Sequence, residues 1–195
     1  DAWLARGRRV MALTRSRAES LAAAGIEPIA GDVLDPASLA AIPNASTVLY
    51  AVGFDRNAGR PMHQVYVDGL ANVLNALDGR FLRFIYVSST GVYGQTDGEI
   101  VTEDSPTEPI EESGKVVLAA ERLLRERVPG AVVLRFAGIY GPGRLLRKQP
   151  LLAGEPLVGD AEKWLNLIHV EDGVSAVLAA EERATPGETY LIADG

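Results

Sequence analysis

Three consecutive hydroxyl side chains follow one of the most apolar runs of the sequence. Residues 84–87 (Phe-Ile-Tyr-Val) have the composition of a buried strand, and Ser88, Ser89 and Thr90 come directly after them. A hydroxyl at the end of a strand can hydrogen-bond a carbonyl or hydroxyl of a bound substrate. The same residue types also cap turns by bonding to nearby backbone groups. The segment is therefore a candidate substrate site, with a turn cap as the alternative.

A carboxylate and an amine lie four residues apart at the start of a predicted helix. Glu111 and Lys115 would share one helix face at this spacing, and such a pair ordinarily adds only a few tenths of a kcal/mol to helix stability. Glu111 could move protons near neutral pH only if burial or neighbouring charges raised its pKa. Ser113 is a less favoured candidate for the same task. The spacing indicates either an acid/base site or an ordinary helix pair.

Composition and charge limit the classes of function. The 195 residues carry a formal charge of −7 and 47% hydrophobic residues, which is typical of a folded globular chain. This negative charge argues against general binding to nucleic acid or anionic membranes. The absence of cysteine excludes disulfides and thiolate metal sites, and we predict no metal site. No run reaches the roughly 18 apolar residues of a membrane span, so we expect a cytoplasmic location.

The predicted elements alternate between strand and helix, which favours an α/β fold with a mostly parallel, doubly wound sheet of the Rossmann type. Asp35 followed by Pro36 is a typical helix start. Ligands of such folds bind at the carboxyl ends of the strands. The predicted strands are 9–14, 27–30, 48–52, 84–87, 131–136, 164–170 and 189–192, and the predicted helices are 18–24, 35–41, 61–77, 115–127 and 172–182.

The beginning of the chain does not match the beginning of a Rossmann unit. Residues 1–7 have the pattern of a helix end, and strand 9–14 looks like the second strand of the unit rather than the first. A sheet without its central strand would leave backbone groups unpaired inside the protein. We therefore expect further residues before Asp1. We assign residues 1–142 to a nucleotide-binding domain and 143–195 to a small substrate-side lobe interleaved with the sheet.

Four motifs, in the same order along the chain, resemble the extended and atypical short-chain dehydrogenase/reductases, the NAD-dependent epimerase/dehydratase type. Residues 88–94 (Ser-Ser-Thr-Gly-Val-Tyr-Gly) are similar to that family's Ser-Ser-x-x-Val-Tyr-Gly signature. The other three motifs are residues 31–33 (Gly-Asp-Val), 134–143 (Leu-Arg-Phe-Ala-Gly-Ile-Tyr-Gly-Pro-Gly) and 168–172 (Ile-His-Val-Glu-Asp). The resemblance implies a Rossmann fold and an oxidoreductase or epimerase activity on a small-molecule substrate.

The resemblance also implies roles for individual residues. Ser89 corresponds to the hydroxyl that bonds the reacting group, and Lys115 to the lysine of the family's Tyr-x-x-x-Lys pair, which holds the ribose. Glu111 stands where the family has its tyrosine, so the usual acid/base is missing. A non-catalytic dinucleotide sensor or scaffold is therefore the alternative function.

The resemblance also predicts a dinucleotide site that prefers NADP, with NAD as the alternative. Arg15, with Arg17 nearby, follows the strand whose end meets the adenosine ribose, and a guanidinium suits a 2′-phosphate better than bare hydroxyls. The predicted cofactor-binding residues are Thr14, Arg15, Asp32, Val33, Ala51, Val52, Gly53, Lys115 and Ile139.

On the substrate side, Gly138 falls where sugar-nucleotide epimerases often carry asparagine, which argues against a nucleotide-sugar substrate. His169 and Asp172 are interpreted as a structural strand-to-helix junction rather than as an acid/base pair. Proteins of the family often form homodimers, and the resemblance implies that such a dimer would use the helices around residues 62–77 and 113–127.

Overall fold

The computed structural model describes residues 1–145, 148–156 and 164–194. Strands and helices alternate along these ranges, as the sequence pattern predicts. The strands are β1 (Met11–Thr14), β2 (Glu27–Ala30), β3 (Ala45–Tyr50), β4 (Phe81–Ser89), β5 (Val132–Phe136), β6 (Gly138–Tyr140), β7 (Leu167–His169) and β8 (Thr189–Ile192). The helices are α1 (Ala2–Ala5), α2 (Ala18–Ala23), α3 (Gly69–Leu77), α4 (Glu112–Arg127), α5 (Lys148–Leu152) and α6 (Val170–Arg183).

The pairings recorded between these strands are parallel, which confirms the predicted fold class. The largest sheet has the order β3-β4-β5-β8, while β1 with β2 and β6 with β7 form two smaller sheets. Parallel neighbours require a crossover connection, and α3, α4 and α6 provide them in the main sheet. The carboxyl ends of β3, β4, β5 and β8 therefore lie at one edge of the main sheet.

Strands β1 and β3 belong to separate sheets among the described strands. Strand β3 is an edge of the four-stranded sheet, and β1 pairs only with β2 among the described strands. Leu13 of β1 nevertheless packs against the same apolar cluster as Val48 of β3. The two sheets thus share a core without sharing backbone hydrogen bonds.

Two apolar clusters cover the two faces of the main sheet. Phe84, Tyr86 and Val133 point into the cluster that contains Leu70, Leu74 and other residues of α3, while Ile85, Val132 and Leu134 point into the cluster that contains Ala180 of α6. Successive strand residues thus alternate between two buried faces. A parallel sheet covered on both faces requires this pattern, and it explains why strands 84–87 and 131–136 appear apolar throughout.

Several predicted boundaries and helix types are corrected by the structure. The segment after Asp35 is a 3-10 helix (Pro36–Ala41), although Asp35 caps it as predicted by accepting the Ala37 N–H at 3.1 Å. The predicted helix 61–77 contains a π-helical turn (Gln64–Asp68) before α3. The strand predicted at 48–52 is Ala45–Tyr50, and the one at 164–170 is shortened to Leu167–His169.

The predicted lobe is continuous with the main sheet. Within residues 143–195, α6 packs on β4 and β5, and β8 pairs with β5. Residues 146–147, 157–163 and 195 of this lobe lie outside the described residues, so the domain boundary at residue 142 stays a prediction. Within the described ranges, no helix combines the length and apolarity needed to cross a bilayer.

Candidate nucleotide site

A cavity of about 260 Å³ lies where the carboxyl ends of β1, β2 and β3 meet. Pockets that hold a whole small ligand usually measure about 300–1,000 Å³, so this one suits part of a dinucleotide. Six of the predicted cofactor-binding residues line it: Thr14, Arg15, Asp32, Val33, Val52 and Gly53. Leu13 and Val65 add apolar surface to its walls. The cavity thus offers apolar walls together with a few charged groups.

The turn after β1 is organised by Thr14. Its Oγ1 accepts the backbone N–H of Arg17 at 3.0 Å and that of Ser16 at 3.4 Å. This pattern is a local side-chain cap, which the short polar side chains of such turns commonly provide. Arg15 is held between these residues, and its side chain is 57% exposed. The guanidinium of Arg15 therefore lies at the cavity on a fixed turn.

Arg15 is only loosely paired with Asp32. Its Nη1 lies 4.0 Å from Asp32 Oδ2, beyond hydrogen-bonding distance. Asp32 Oδ1 instead accepts the Leu34 N–H at 2.9 Å, and the Asp32 N–H donates to Ser38 Oγ at 2.9 Å. Because Asp32 is held mainly by these local bonds, the donors of Arg15 are available for a bound anion.

One packing contact and one side-chain hydrogen bond fix the segment after β2. A Cβ at Gly31 would lie 2.8 Å from Leu13 Cδ1 and 3.1 Å from the Ser38 carbonyl oxygen, so a larger residue would require these neighbours to shift. The side-chain amide of Asn72 in α3 donates to the Val33 carbonyl at 3.0 Å. These contacts hold the backbone of residues 31–33 at the cavity wall.

Ser89 lies at the end of β4 and caps the turn that follows. Its Oγ accepts the Gly91 N–H at 3.1 Å, at the start of a 3-10 turn (Thr90–Val92). The geometry matches the turn-cap interpretation, and the Ser89 O–H is still able to donate to another group. Ser89 does not line the cavity described above. Its role toward a substrate stays a prediction.

A buried polar cluster begins at Ser88, the residue that precedes Ser89. Ser88 Oγ donates to Glu121 Oε1 at 2.5 Å, and Arg135 donates to both carboxylate oxygens of Glu121, at 3.1 and 2.7 Å. Arg135 Nη1 also donates to the Tyr93 hydroxyl at 2.6 Å. The cluster joins β4, β5, α4 and the loop after Ser89. It therefore fixes the strand end that carries Ser89.

Lys115 and Glu111 lie at the start of α4, and their roles toward a nucleotide or substrate stay predictions. The Lys115 side chain is 56% exposed, and its Nζ lies 3.5 Å from Glu112, one position away from the expected partner Glu111. Glu111 is exposed at the N-cap of α4. The face of α4 that meets the Ser89 turn instead carries Gly114, whose added Cβ would lie 2.1 Å from the Gly91 carbonyl oxygen. Lys115 points about 100° around the helix from that contact.

Two other predicted cofactor-binding residues also lie apart from the cavity lining. Ala51 precedes Val52 and is exposed, and Ile139 of β6 packs against the apolar cluster of α6. Sequence reasoning missed Arg60 and Asp55, which line the cavity from the segment after β3. The signal for Arg60 was weak, because one arginine in a polar loop looks like an ordinary surface charge.

His169 is the N-cap of α6. Its Nδ1 accepts the Glu171 N–H at 3.4 Å, and its ring meets Tyr140 edge-on at 5.2 Å. A hydrogen bond to Asp194 raises the pKa of the Tyr140 hydroxyl above its usual value. The contacts fit the junction role predicted for His169. Within the described ranges, no three His, Asp or Glu side chains converge to hold a metal ion.

The parallel sheet, the helices on both its faces and the cavity at the strand ends define a Rossmann-type α/β protein. The chain belongs to the NAD dependent epimerase/dehydratase family, whose profile matches residues 1–193. The resemblance found in the four motifs is thereby confirmed.

Known relatives match most of this chain but only part of their own length. Protein YeeZ of Escherichia coli strain K12 is 32% identical over 163 residues, which cover 82% of this chain and 57% of that protein. The low-salt glycan biosynthesis protein Agl12 of Haloferax volcanii is 29% identical over 157 residues, covering 72% of this chain and 50% of that protein. The chain thus spans about half the length of these curated relatives.

Solved structures share the fold. A protein of the NAD-dependent epimerase/dehydratase type from Methylobacillus flagellatus superposes with a TM-score of 0.77 at 34% identity, covering all of this chain and 70% of that one. The Bordetella bronchiseptica enzyme WbmG, solved in complex with NAD, gives a TM-score of 0.79 at 19% identity, over 98% of this chain and 66% of WbmG. The second likeness concerns the fold alone.

Proposed function

We propose that this chain is the dinucleotide-binding part of an epimerase/dehydratase-like oxidoreductase that prefers NADP and acts on a small-molecule substrate. The observation that carries the proposal is the convergence of Arg15, Asp32, Val33 and Gly53 on one cavity at the ends of three parallel strands. Nucleotides bind Rossmann-type sheets at this place. NAD or NADP supplies hydride chemistry when bound, and the protein supplies binding and orientation.

The donors and walls of the cavity fit the adenosine end of the cofactor. Apolar contacts from Val33, Val52 and Val65 suit an adenine ring, and the carboxylate of Asp32 can accept from ribose hydroxyls. The guanidinium of Arg15 can donate two parallel hydrogen bonds to a 2′-phosphate. An exposed arginine that is not tightly paired, as here, costs little to reorient toward an anion.

A fluorescence titration with NADPH, and separately with NADH, tests the proposal. We expect saturable NADPH binding that Arg15→Ala weakens by about tenfold or more, since a charge-assisted bond contributes roughly 1.5–3 kcal/mol. Binding of NADH should change much less. Arg122→Ala is the matched control, because Arg122 is exposed on α4 and does not line the cavity. Equal affinity of the two cofactors, unchanged by Arg15→Ala, would exclude the NADP preference.

A non-catalytic dinucleotide-binding protein is the second candidate. It is favoured by the exposed positions of Lys115, whose Nζ lies 3.5 Å from Glu112, and of Glu111, which stands where the family has its tyrosine. Turnover separates the two candidates: an enzyme oxidises NADPH when a carbonyl substrate is supplied, whereas a sensor returns the cofactor unchanged. Loss of turnover with retained cofactor binding in Ser89→Ala, and weakened cofactor binding in Lys115→Ala, would favour the enzyme and the roles assigned to the two residues. Glu111→Gln tests the remaining acid/base candidate in the same way.

Location and assembly complete the proposal. We expect the protein in the cytoplasm, without nucleic-acid or membrane partners, and as a possible homodimer through α3 and α4. The molar mass in solution, measured by light scattering, tests the dimer.

A further inference from the structure

Residues 94–109 form a loop that begins and ends at the carboxyl edge of the main sheet. The loop follows the turn after Ser89, and α4, which comes after the loop, packs against the same turn through Gly114. The base of the loop is tight, because an added Cβ at Gly94 would lie 2.1 Å from the Glu108 carbonyl oxygen. The two ends of the loop are therefore held together.

The middle of the loop is bonded to β8. Glu103 Oε1 accepts the Leu191 N–H at 2.9 Å. The next residue of β8 is bonded to β5, since the Ala137 N–H donates to the Ile192 carbonyl at 2.9 Å, so the Leu191 N–H points away from β5. In the sheet order β4-β5-β8, a loop that starts after β4 and reaches the outer side of β8 passes the carboxyl end of β5.

Ser89 and Leu191 lie on either side of β5 at nearly the same level. Ser89 pairs in register with Phe136 of β5, and Leu191 pairs with Arg135, one residue earlier. Two spacings between neighbouring strands amount to about 10 Å. The loop therefore crosses the part of the sheet edge next to Ser89, where ligands of parallel α/β sheets bind.

Among the described residues, few contacts hold the middle of the loop in this place. Residues 96–100 are exposed, and Ile100 is 93% exposed. Gly98 has a φ of +83° and lies against the ring of Trp164, so that an added Cβ would be 2.6 Å from Trp164 Nε1. A segment that buries so little apolar surface opens at a low free energy.

We propose that residues 95–106 form a flap that controls access to Ser89, with Glu103 as its latch and the Trp164 ring as the support of its tip. The role of Ser89 toward a substrate rests on the proposed function, whereas the movement of the flap does not. The flap opens when the hydrogen bond between Glu103 and Leu191 breaks. Closure over a bound substrate would exclude water from the strand end.

The absence of cysteine from the chain allows a direct test. Ser89→Cys places a single thiol at the strand end, and its rate of reaction with a chromogenic disulfide reagent measures access to this position. Adding Glu103→Ala should speed the reaction about threefold or more, because the latch is a hydrogen bond to a charged group. Adding Trp164→Ala should change the rate in the same direction. Asp104→Ala is the matched control, since Asp104 is exposed on the same loop next to Glu103.

A second thiol separates opening of the flap from loosening of the whole fold. Val133→Cys places it in the interior of β5, where Val133 is fully buried, and Glu103→Ala should leave its reaction rate unchanged. The Leu191 amide proton should exchange faster in Glu103→Ala than in Asp104→Ala.

An unchanged rate at the Ser89→Cys thiol, or equal acceleration of both thiols, would overturn the flap. Failure of the proposed function would appear separately, in the NADPH titration, because that titration reports on the cavity at the ends of β1, β2 and β3.

Discussion

Glu121 and Arg135 form a buried ion pair between α4 and β5. Glu121 Oε2 lies 2.7 Å from Arg135 Nη2, and the two side chains are 1% and 6% exposed. Burial alone would lower the pKa of Arg135, but the hydrogen bonds and charge of Glu121, with a further contribution from Tyr93, outweigh it and leave the pKa above its ordinary value. Ser88 and Tyr93 provide the remaining hydrogen bonds. The pair is therefore part of a satisfied network, which is the condition for burying two charges.

Removing one charge of this pair should be strongly destabilising. Glu121→Gln leaves the guanidinium of Arg135 buried without its counterion, and we expect a loss of about 3 kcal/mol or more in the free energy of unfolding. Urea unfolding, monitored by circular dichroism, measures this loss of stability. Glu112→Gln on the exposed side of the same helix should cost less than about 1 kcal/mol. A loss of similar size in both variants would show that the buried pair has no special role.

The hydroxyl of Tyr50 makes no hydrogen bond in the described structure although the residue is only 4% exposed. Tyr50→Phe removes this unsatisfied group, and we expect stability to rise by up to about 1 kcal/mol. Urea unfolding at pH 7 measures the change. A loss of more than 1 kcal/mol would mean that the hydroxyl has a partner.

The Tyr50→Phe variant also tests how the stability of the fold decreases at alkaline pH. Burial raises the pKa of Tyr50 above its usual value of 10.0, with a smaller contribution from Tyr66. The folded state therefore holds this proton more tightly than the unfolded state does. The stability that depends on this proton is fully present below pH 10 and is lost as the pH rises above 10 toward the folded pKa. Unfolding midpoints between pH 8 and 11 should fall less steeply in Tyr50→Phe than in the unchanged chain.

Gly114, the one glycine of α4, should be sensitive to substitution. An added Cβ would lie 2.1 Å from the Gly91 carbonyl oxygen and 2.8 Å from Pro109 Cβ, so the helix would have to move away from the Ser89 turn. We expect Gly114→Ala to cost about 2 kcal/mol or more, measured by thermal unfolding, despite the better helix propensity of alanine. Gly130→Ala is the control, because its nearest contact is 3.8 Å. A neutral Gly114→Ala would contradict this packing of α4.

Asn72 should influence nucleotide affinity without lining the cavity. Its amide fixes the Val33 carbonyl, and Val33 is a wall of the site. Asn72→Ala frees this segment, and we expect NADPH affinity to fall severalfold, in line with about 1 kcal/mol for one hydrogen bond. Asn75→Ala, an exposed position of the same helix, should leave the affinity unchanged. Identical affinities in the two variants would assign Asn72 a purely structural role.

The sequence predicted the parts of the fold that depend on local pattern. Apolar runs located the strands, and the rule that ligands bind at strand ends brought Arg15, Asp32 and Gly53 to one cavity. The cap at Asp35 could be predicted from the sequence because Asp35 bonds to the N–H of Ala37, only two residues away. These features need no knowledge of distant contacts.

The remaining features depend on tertiary contacts that a single sequence does not display. The rotation of α4 is set by Glu121 and Gly114, which contact β4 and the turn after it, so the sequence alone did not show that Lys115 lies 3.5 Å from Glu112 rather than beside Glu111. Glu121 and Arg135 look like ordinary surface charges until their helix and strand are packed together. Arg60 is likewise distant in sequence from Arg15 and Asp32, which line the same cavity.

Among the described strands, β1 pairs only with β2, whereas β3 belongs to the four-stranded sheet. Cavity residues follow both strands, yet no strand hydrogen bonds join the two sheets in the described structure. A two-stranded ladder exchanges its amide protons through cheaper local openings than the interior of a four-stranded sheet. Occupancy of the cavity can therefore be followed without any label on the ligand. Amide protons of Met11–Thr14 and Glu27–Ala30 should exchange more slowly once a nucleotide bridges the two sheets, while those of Val132–Phe136 should hardly respond.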